Sequence, residues 1–81
     1  MGPSVYQVNA SWDEEAAVWV TTSEDVPGLA TEANTIEGLS QKLREMIPDL
    51  LLSNHVIPVN YAGAIAVQLT SHRQEMIEVA S

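Results

Sequence analysis

Between Ile36 and Leu51 an apolar residue recurs every three or four positions, and this spacing predicts one amphipathic helix over about residues 35–52. A helix of this kind buries one side only, so the rest of the chain must supply the surface on which it packs. The apolar stripe consists of Ile36, Leu39, Leu43, Met46, Ile47, Leu50 and Leu51. The residues expected to face a sheet are Ile36, Leu39, Leu43 and Ile47.

Sequence signals mark both ends of this helix. Asn34 or Thr35 can cap the first turn, and Asn34 with Glu37 three residues later matches a capping box. Pro48 lacks a backbone donor, so it is expected to kink the helix or to end it early, with a further turn through Leu52.

Alternation with a period of two predicts strands on both sides of the helix. A charged "DEE" separates the first two strands, which pair as an antiparallel hairpin. The third strand follows "VPGL", which fits a type II turn with a positive φ at Gly28. The tail at 71–81 suits a continued strand or a short helix, and we favour the strand. The predicted strands are residues 5–12, 16–22, 29–33 and 64–70.

The resulting order, β-β-β-α-β, indicates an α+β fold with one helix on a mostly antiparallel sheet. The first three strands form an antiparallel meander over residues 5–33. The helix is long enough to act as a crossover, so the fourth strand can run parallel to a neighbour. A length of 81 residues fits one small domain, residues 1–81.

The second strand is uncharged, and this predicts self-association. Val18 and Val20 lie on one face while Ala17 and Trp19 lie on the other, so both faces are expected to be covered. One helix covers only one of them, and a tail strand reaching Val79 would add an open edge. We therefore expect a homo-oligomer, most simply a two-fold dimer. Its candidate contacts are Trp19, Met76, Ile77 and Val79.

Charge narrows the class of partner. Eleven acidic residues against three basic ones give a net charge of −8, which argues against nucleic-acid binding and favours a basic partner. Simple solubility explains the same charge. No cysteine is present, which excludes disulfides and thiolate metal sites. Because the sequence shows neither a membrane-spanning run nor a signal peptide, we expect a cytoplasmic protein without membrane contact.

Residues suited to catalysis are scattered. His55 and His72 do not have metal-ligand spacing, and each is interpreted as an ordinary surface or loop histidine. The acidic pairs lie in predicted turns, where solvated charge is the simpler interpretation. We therefore predict no catalytic, cofactor-binding or metal-binding residues, and no enzyme activity.

The stretch "DVPGLATEANTIEGLSQKLREMI", preceded by "SWDEEAAVWVTTS", resembles the HicB-like antitoxin domains, most closely a short, stand-alone group of unknown function. The resemblance covers roughly residues 5–52. Gly38 departs from the family pattern, in which an acidic residue is usual at that position. The matching positions are Asp25, Pro27, Gly28, Leu29, Thr31, Thr35, Leu39 and Leu43.

This resemblance implies a degenerate RNase H-like domain without catalytic carboxylates. It also implies a partner, a small basic mRNA-cleaving toxin of the HicA type that the domain binds and neutralises. The acidic candidates for such a contact are Glu24, Asp25 and Glu32. Longer relatives carry a C-terminal DNA-binding module, and too few residues follow the last strand here for one, so no direct DNA binding is expected.

Two other functions remain open. One is a homo-oligomeric acidic domain with a different role and no toxin partner. The other is a residual nuclease or other hydrolase, for which Glu32 is the main strand carboxylate, joined by Glu75 and Glu78 if the tail is a strand.

Overall fold

A computed structural model describes residues 5–80 of the chain. Its element order, β-β-β-α-β, confirms the predicted α+β class, and its sheet has the order β3-β2-β1-β4. Strands β1, β2 and β3 pair antiparallel, and β4 runs parallel to β1 as expected. Residues 1–4 and 81, which the predicted domain includes, lie outside the described range. The elements are β1 (Val5–Asp13), β2 (Val18–Thr22), β3 (Glu32–Ala33), α1 (Ile36–Ser53) and β4 (Ala66–His72).

The core lies between α1 and one face of the sheet. Alternation along β1 buries Tyr6, Val8 and Ala10, and leaves the residues between them exposed. The helix stripe faces these strands as predicted, although Ile36 is only half-buried. Burying a leucine side chain contributes about 1.5–3 kcal/mol, so this stripe is the main stabilising element of a one-helix domain. Its fully buried members are Leu39, Leu43, Ile47 and Leu51.

The start of α1 differs from the predicted capping box. Thr35 is the N-cap, and its Oγ1 accepts a hydrogen bond from the Gly38 backbone N–H at 3.0 Å. The box with Asn34 is wrong because the helix begins at Ile36, which places Gly38, not an acidic residue, at the third helical position. Pro48 does not end the helix, which continues to Ser53 because Leu51 beyond it is buried in the core.

The end of α1 has the hydrogen bonds of a Schellman motif. The backbone N–H of Val56 donates to the Leu51 carbonyl at 2.9 Å, and that of His55 donates to the Leu52 carbonyl at 3.2 Å. His55 has a φ of 58°, in the left-handed region that glycine adopts most readily. The lone histidine of this segment therefore serves as an exposed helix terminator.

Replacing His55 with glycine should raise the free energy of unfolding by up to about 1 kcal/mol, because the strain of a left-handed side chain is removed. Urea unfolding followed by tryptophan fluorescence measures the change. His55→Ala keeps the strain and serves as the control. A glycine variant no more stable than the alanine variant would contradict the assigned helix end.

The turn at residues 26–29 is the predicted type II turn. Gly28 has a φ of 76°, and the Leu29 N–H donates to the Val26 carbonyl at 3.3 Å. The third strand comprises Glu32–Ala33 and is shorter than the predicted 29–33. At Thr31 a side chain takes the place of a backbone acceptor in the hydrogen-bond ladder: the Thr21 hydroxyl accepts from the Thr31 N–H at 3.2 Å.

The second strand is covered on one face only, which corrects the prediction that both faces are buried. Trp19 lies in the core, but Val20 on the other face is 38% exposed. Ala17 belongs to the preceding turn, with a φ of 56°, and is not part of the strand. We call the uncovered side of the sheet the open face. It is formed by Gln7, Asn9, Ser11, Asp13, Val18, Val20, Thr22, Glu32, Gln68, Thr70 and His72.

The predicted tail strand forms only as far as His72. We call residues 73–80 the exit segment. It carries neither helix nor strand, since no strand among residues 5–80 lies beside it to pair with it. The domain measures 62 × 20 × 18 Å, with a radius of gyration of 15.3 Å. A compact chain of this length would have a radius near 12 Å, so the molecule is elongated.

Candidate protein-binding surfaces

An apolar groove lies between α1 and β4. Its volume is about 370 Å³. It exists because β4 is an edge strand that the helix does not cover fully: β1 contributes three buried side chains to the core, whereas every β4 side chain is exposed or half-buried. We call this feature the α1–β4 groove. It is lined by Ser40, Leu43, Arg44, Ile47, Pro48, Ile65, Val67 and Leu69.

The exit segment exposes more apolar surface than any other part of the described chain. Met76 is 84% exposed, Ile77 80% and Val79 90%. Single exposed apolar side chains are ordinary, but three within four residues beside a sheet edge are typical of surfaces that bind another chain, which makes this segment a candidate contact. These three predicted contact residues therefore lie where a second chain can reach them.

Two tryptophans and an arginine connect the exit segment to the core. The rings of Trp12 and Trp19 meet edge to face, with centroids 5.2 Å apart. The Arg73 guanidinium carbon lies 4.3 Å from the Trp12 ring centroid, a cation–π distance. Arg73 also pairs with Glu75 at 2.9 Å. The chain leaving β4 is thus held on the helix side of the sheet through Arg73.

Within residues 5–80, the open face bears carboxylates and no lysine or arginine. Asp13 and Glu32 lie at one end of it, and Glu24 and Asp25 line an adjoining depression beyond its other end, beside Gln7 and Asn9. The three basic side chains of the chain all lie elsewhere. Lys42 and Arg44 are on α1, and Arg73 stacks on the helix side.

The predicted contact residues do not form one site. Trp19 is buried in the core, so the prediction that it contacts a second chain is not retained. Asp25 is half-buried and its Oδ2 accepts from the Gln7 N–H at 2.7 Å, while Glu24 beside it is exposed. Glu32 is exposed on β3, and its carbonyl accepts from the Lys42 ammonium at 2.7 Å.

Sequence reasoning missed the α1–β4 groove. Val67 and Leu69 lie on the helix side of β4, but alternation in the sequence does not tell how far a helix extends over that side. The position of Arg44 at the groove was not foreseen either. A helical wheel places it one position after Leu43, at the margin of the apolar stripe, which is the available signal.

Across residues 5–80, no three histidine, aspartate or glutamate side chains are grouped closely enough to hold a metal ion. Over the same range, no helix combines the length and apolar character that crossing a bilayer requires.

Comparison with known proteins identifies a family. No curated protein matches the chain. A crystal structure of a hypothetical protein from the extremely thermophilic bacterium Thermus thermophilus is similar, with 44% sequence identity and a TM-score of 0.67. The match covers 93% of this chain and 99% of that one. The profile of a domain of unknown function, DUF1902, matches residues 5–79. The chain therefore belongs to the DUF1902 family.

Proposed function

We propose that this protein is an antitoxin-like binding module of the HicB-like type, which neutralises a HicA-type mRNA-cleaving toxin in the cytoplasm and has no catalysis of its own. The observation that carries the proposal is the open face with the adjoining depression at Glu24 and Asp25, where the described residues supply carboxylates and no lysine or arginine. A toxin that handles RNA needs a basic surface for the phosphates, and an acidic face complements such a surface.

The fold supports this proposal. We propose that the domain is a degenerate RNase H-like fold of the HicB type; the meander of β1 to β3, which continues through one helix into a parallel β4 beside β1, supports this. A catalytic relative would need carboxylates held together on the sheet. Here Asp13 and Glu32 lie on the open face at one side, while Glu24 and Asp25 lie in a separate depression.

The test uses the product of the neighbouring reading frame, if it encodes a small basic protein. The purified domain should bind that protein and suppress its RNA cleavage, while the domain alone leaves RNA intact. Replacing Glu24 and Glu32 together with glutamine should weaken binding about tenfold and reduce its salt dependence, because two carboxylates facing the basic partner are lost.

A double variant on the outer side of α1, with Glu37 and Glu45 changed to glutamine, serves as the matched control. Both glutamates are exposed and the net charge changes equally, so its affinity should remain near that of the wild type. Equal losses in the two double variants would show that overall charge, not the open face, attracts the partner. Absence of binding by the wild type would end the proposal, as would RNA cleavage by the domain itself.

A second function has its own support. A homo-oligomeric acidic domain without a toxin partner agrees with the α1–β4 groove and the exposed apolar exit segment. If the neighbouring gene product neither binds the domain nor cleaves RNA, this alternative is favoured.

A further inference from the structure

The exit segment continues β4 without a turn or a bend. No turn or bend interrupts residues 73–80, and the 62 Å length of the domain agrees with an extended course for residues 66–80. Among residues 5–80 the outer edge of β4 has no partner strand, because β4 is the last strand in the order β3-β2-β1-β4. A long strand with a free edge and an apolar end therefore projects from the domain.

Alternation fixes which side of the sheet each residue of this course faces. Val67 lies opposite the buried Tyr6 and Leu69 opposite the buried Val8, so the odd-numbered residues face the helix side. Arg73 obeys the same rule, since it stacks on Trp12. Extending the period of two places Ile77 and Val79 on the helix side.

The exit segment is poorly suited to pair with its own β4. A tight hairpin requires residues that accept a positive φ, usually glycine, asparagine or aspartate. Residues 71–80, "SHRQEMIEVA", contain none of these and no proline. If residues 71–80 fill the groove beside β4, they must therefore come from a second copy of the chain.

We propose that two copies of this chain pair through residues 66–80, antiparallel and about a two-fold axis perpendicular to the sheet. The exit segment of each copy then lies along β4 of the other and seats its odd-numbered side chains in the α1–β4 groove. Such a contact joins the two sheets into one continuous sheet with both helices on the same side, and it satisfies both free edges.

One register brings the apolar side chains of the two copies together. With the axis at Arg73, Ile77 lies opposite Leu69 of the second copy and Val79 lies opposite its Val67. The two Arg73 side chains then face each other at the axis, a like-charge contact that is offset because each guanidinium stays paired with its own Glu75 and stacked on its own Trp12. On the open face, Met76 lies opposite Thr70 and Glu78 opposite Gln68. A shift of two residues that brings Glu75 opposite Leu69 would place a carboxylate against an apolar side chain, which is unfavourable.

Charge supports a second copy as the occupant. Arg44 is the one basic side chain lining the groove, and the exit segment brings Glu75 to the same side of the sheet as its odd-numbered apolar residues. The Glu75 carboxylate can pair with Arg44 of the other copy, which offsets part of the repulsion between two chains of charge −8. This inference does not depend on the proposed toxin, since it concerns the protein alone.

Light scattering on the purified protein at micromolar concentration tests the pairing. The wild type should have twice the mass of one chain, and Ile77→Asp should have the mass of one chain because a carboxylate would enter the groove. Met76→Asp is the matched control and should remain a dimer, since residue 76 faces solvent on the open face. Both positions are exposed in the single chain, so unfolding transitions at a monomeric concentration should be unchanged.

A monomeric wild type overturns the proposal, and so does a dimer that persists in Ile77→Asp. Loss of the dimer in both variants overturns the alternation on which the register depends. If the wild type is monomeric and Ile77→Asp abolishes binding of the basic partner, the exit segment contacts that partner and not a second copy. In that case the pairing proposal fails and the antitoxin proposal stands.

Disulfide trapping tests the register directly. The chain has no cysteine, so Leu69→Cys with Ile77→Cys introduces the only two thiols. Within one chain these positions are separated by about 26 Å of extended strand, too far for a disulfide. Oxidation should give a covalent dimer as the main species. The pair Leu69→Cys with Met76→Cys, whose side chains face opposite sides, should stay largely uncrosslinked; the reverse result overturns the register.

Discussion

Replacing Leu39 with alanine is expected to lower the free energy of unfolding by about 2–5 kcal/mol, since truncation of a buried leucine loses transfer free energy and leaves a cavity. Leu39 is fully buried beneath the first turns of α1, against the sheet. A domain of this length has a total stability of roughly 4–12 kcal/mol, so the variant would retain a small margin or none.

Urea unfolding followed by tryptophan fluorescence measures this loss, because Trp12 and Trp19 lie in the sheet. Leu52→Ala is the matched control, since it makes the same chemical change in the same helix at a half-buried site. Its cost should be clearly smaller. Similar costs at the two positions would contradict the orientation assigned to the helix.

Replacing Gly28 with valine is expected to cost about 1–3 kcal/mol, because a β-branched side chain must adopt the left-handed backbone of the type II turn. The φ of 76° is the cause. The turn has room for a Cβ atom at this position, since a Cβ on Gly28 would lie 3.6 Å from the Leu50 side chain, an ordinary contact distance. Chemical unfolding measures the cost.

Gly28→Asn separates backbone strain from any other effect of a side chain at this turn. Asparagine tolerates a positive φ better than valine does, so its cost should be the smaller of the two. If asparagine and valine cost the same, the loss comes from crowding against Leu50 and not from the backbone.

The sequence alone determined the features that depend on local periodicity and turn chemistry. The stripe from Leu39 to Leu51 requires a helix with one buried side, and the Pro27–Gly28 pair requires a type II turn. Alternation of apolar and polar residues with a period of two predicted β1 and β4 as strands. The order of elements and the parallel β4 followed, because a crossover helix separates the third strand from the fourth.

Tertiary structure alone decided which surfaces are covered. The uncharged second strand suggested two buried faces, yet Val20 is exposed because α1 covers one side of the sheet and no other element of residues 5–80 packs on the second side. For the same reason Trp19 is a core residue rather than a contact. Coverage depends on where a helix lies across the sheet, which is a property of side-chain packing between distant segments and leaves no period in the sequence. The α1–β4 groove exists because β4 lies at the edge of the sheet, beyond the area that the helix covers.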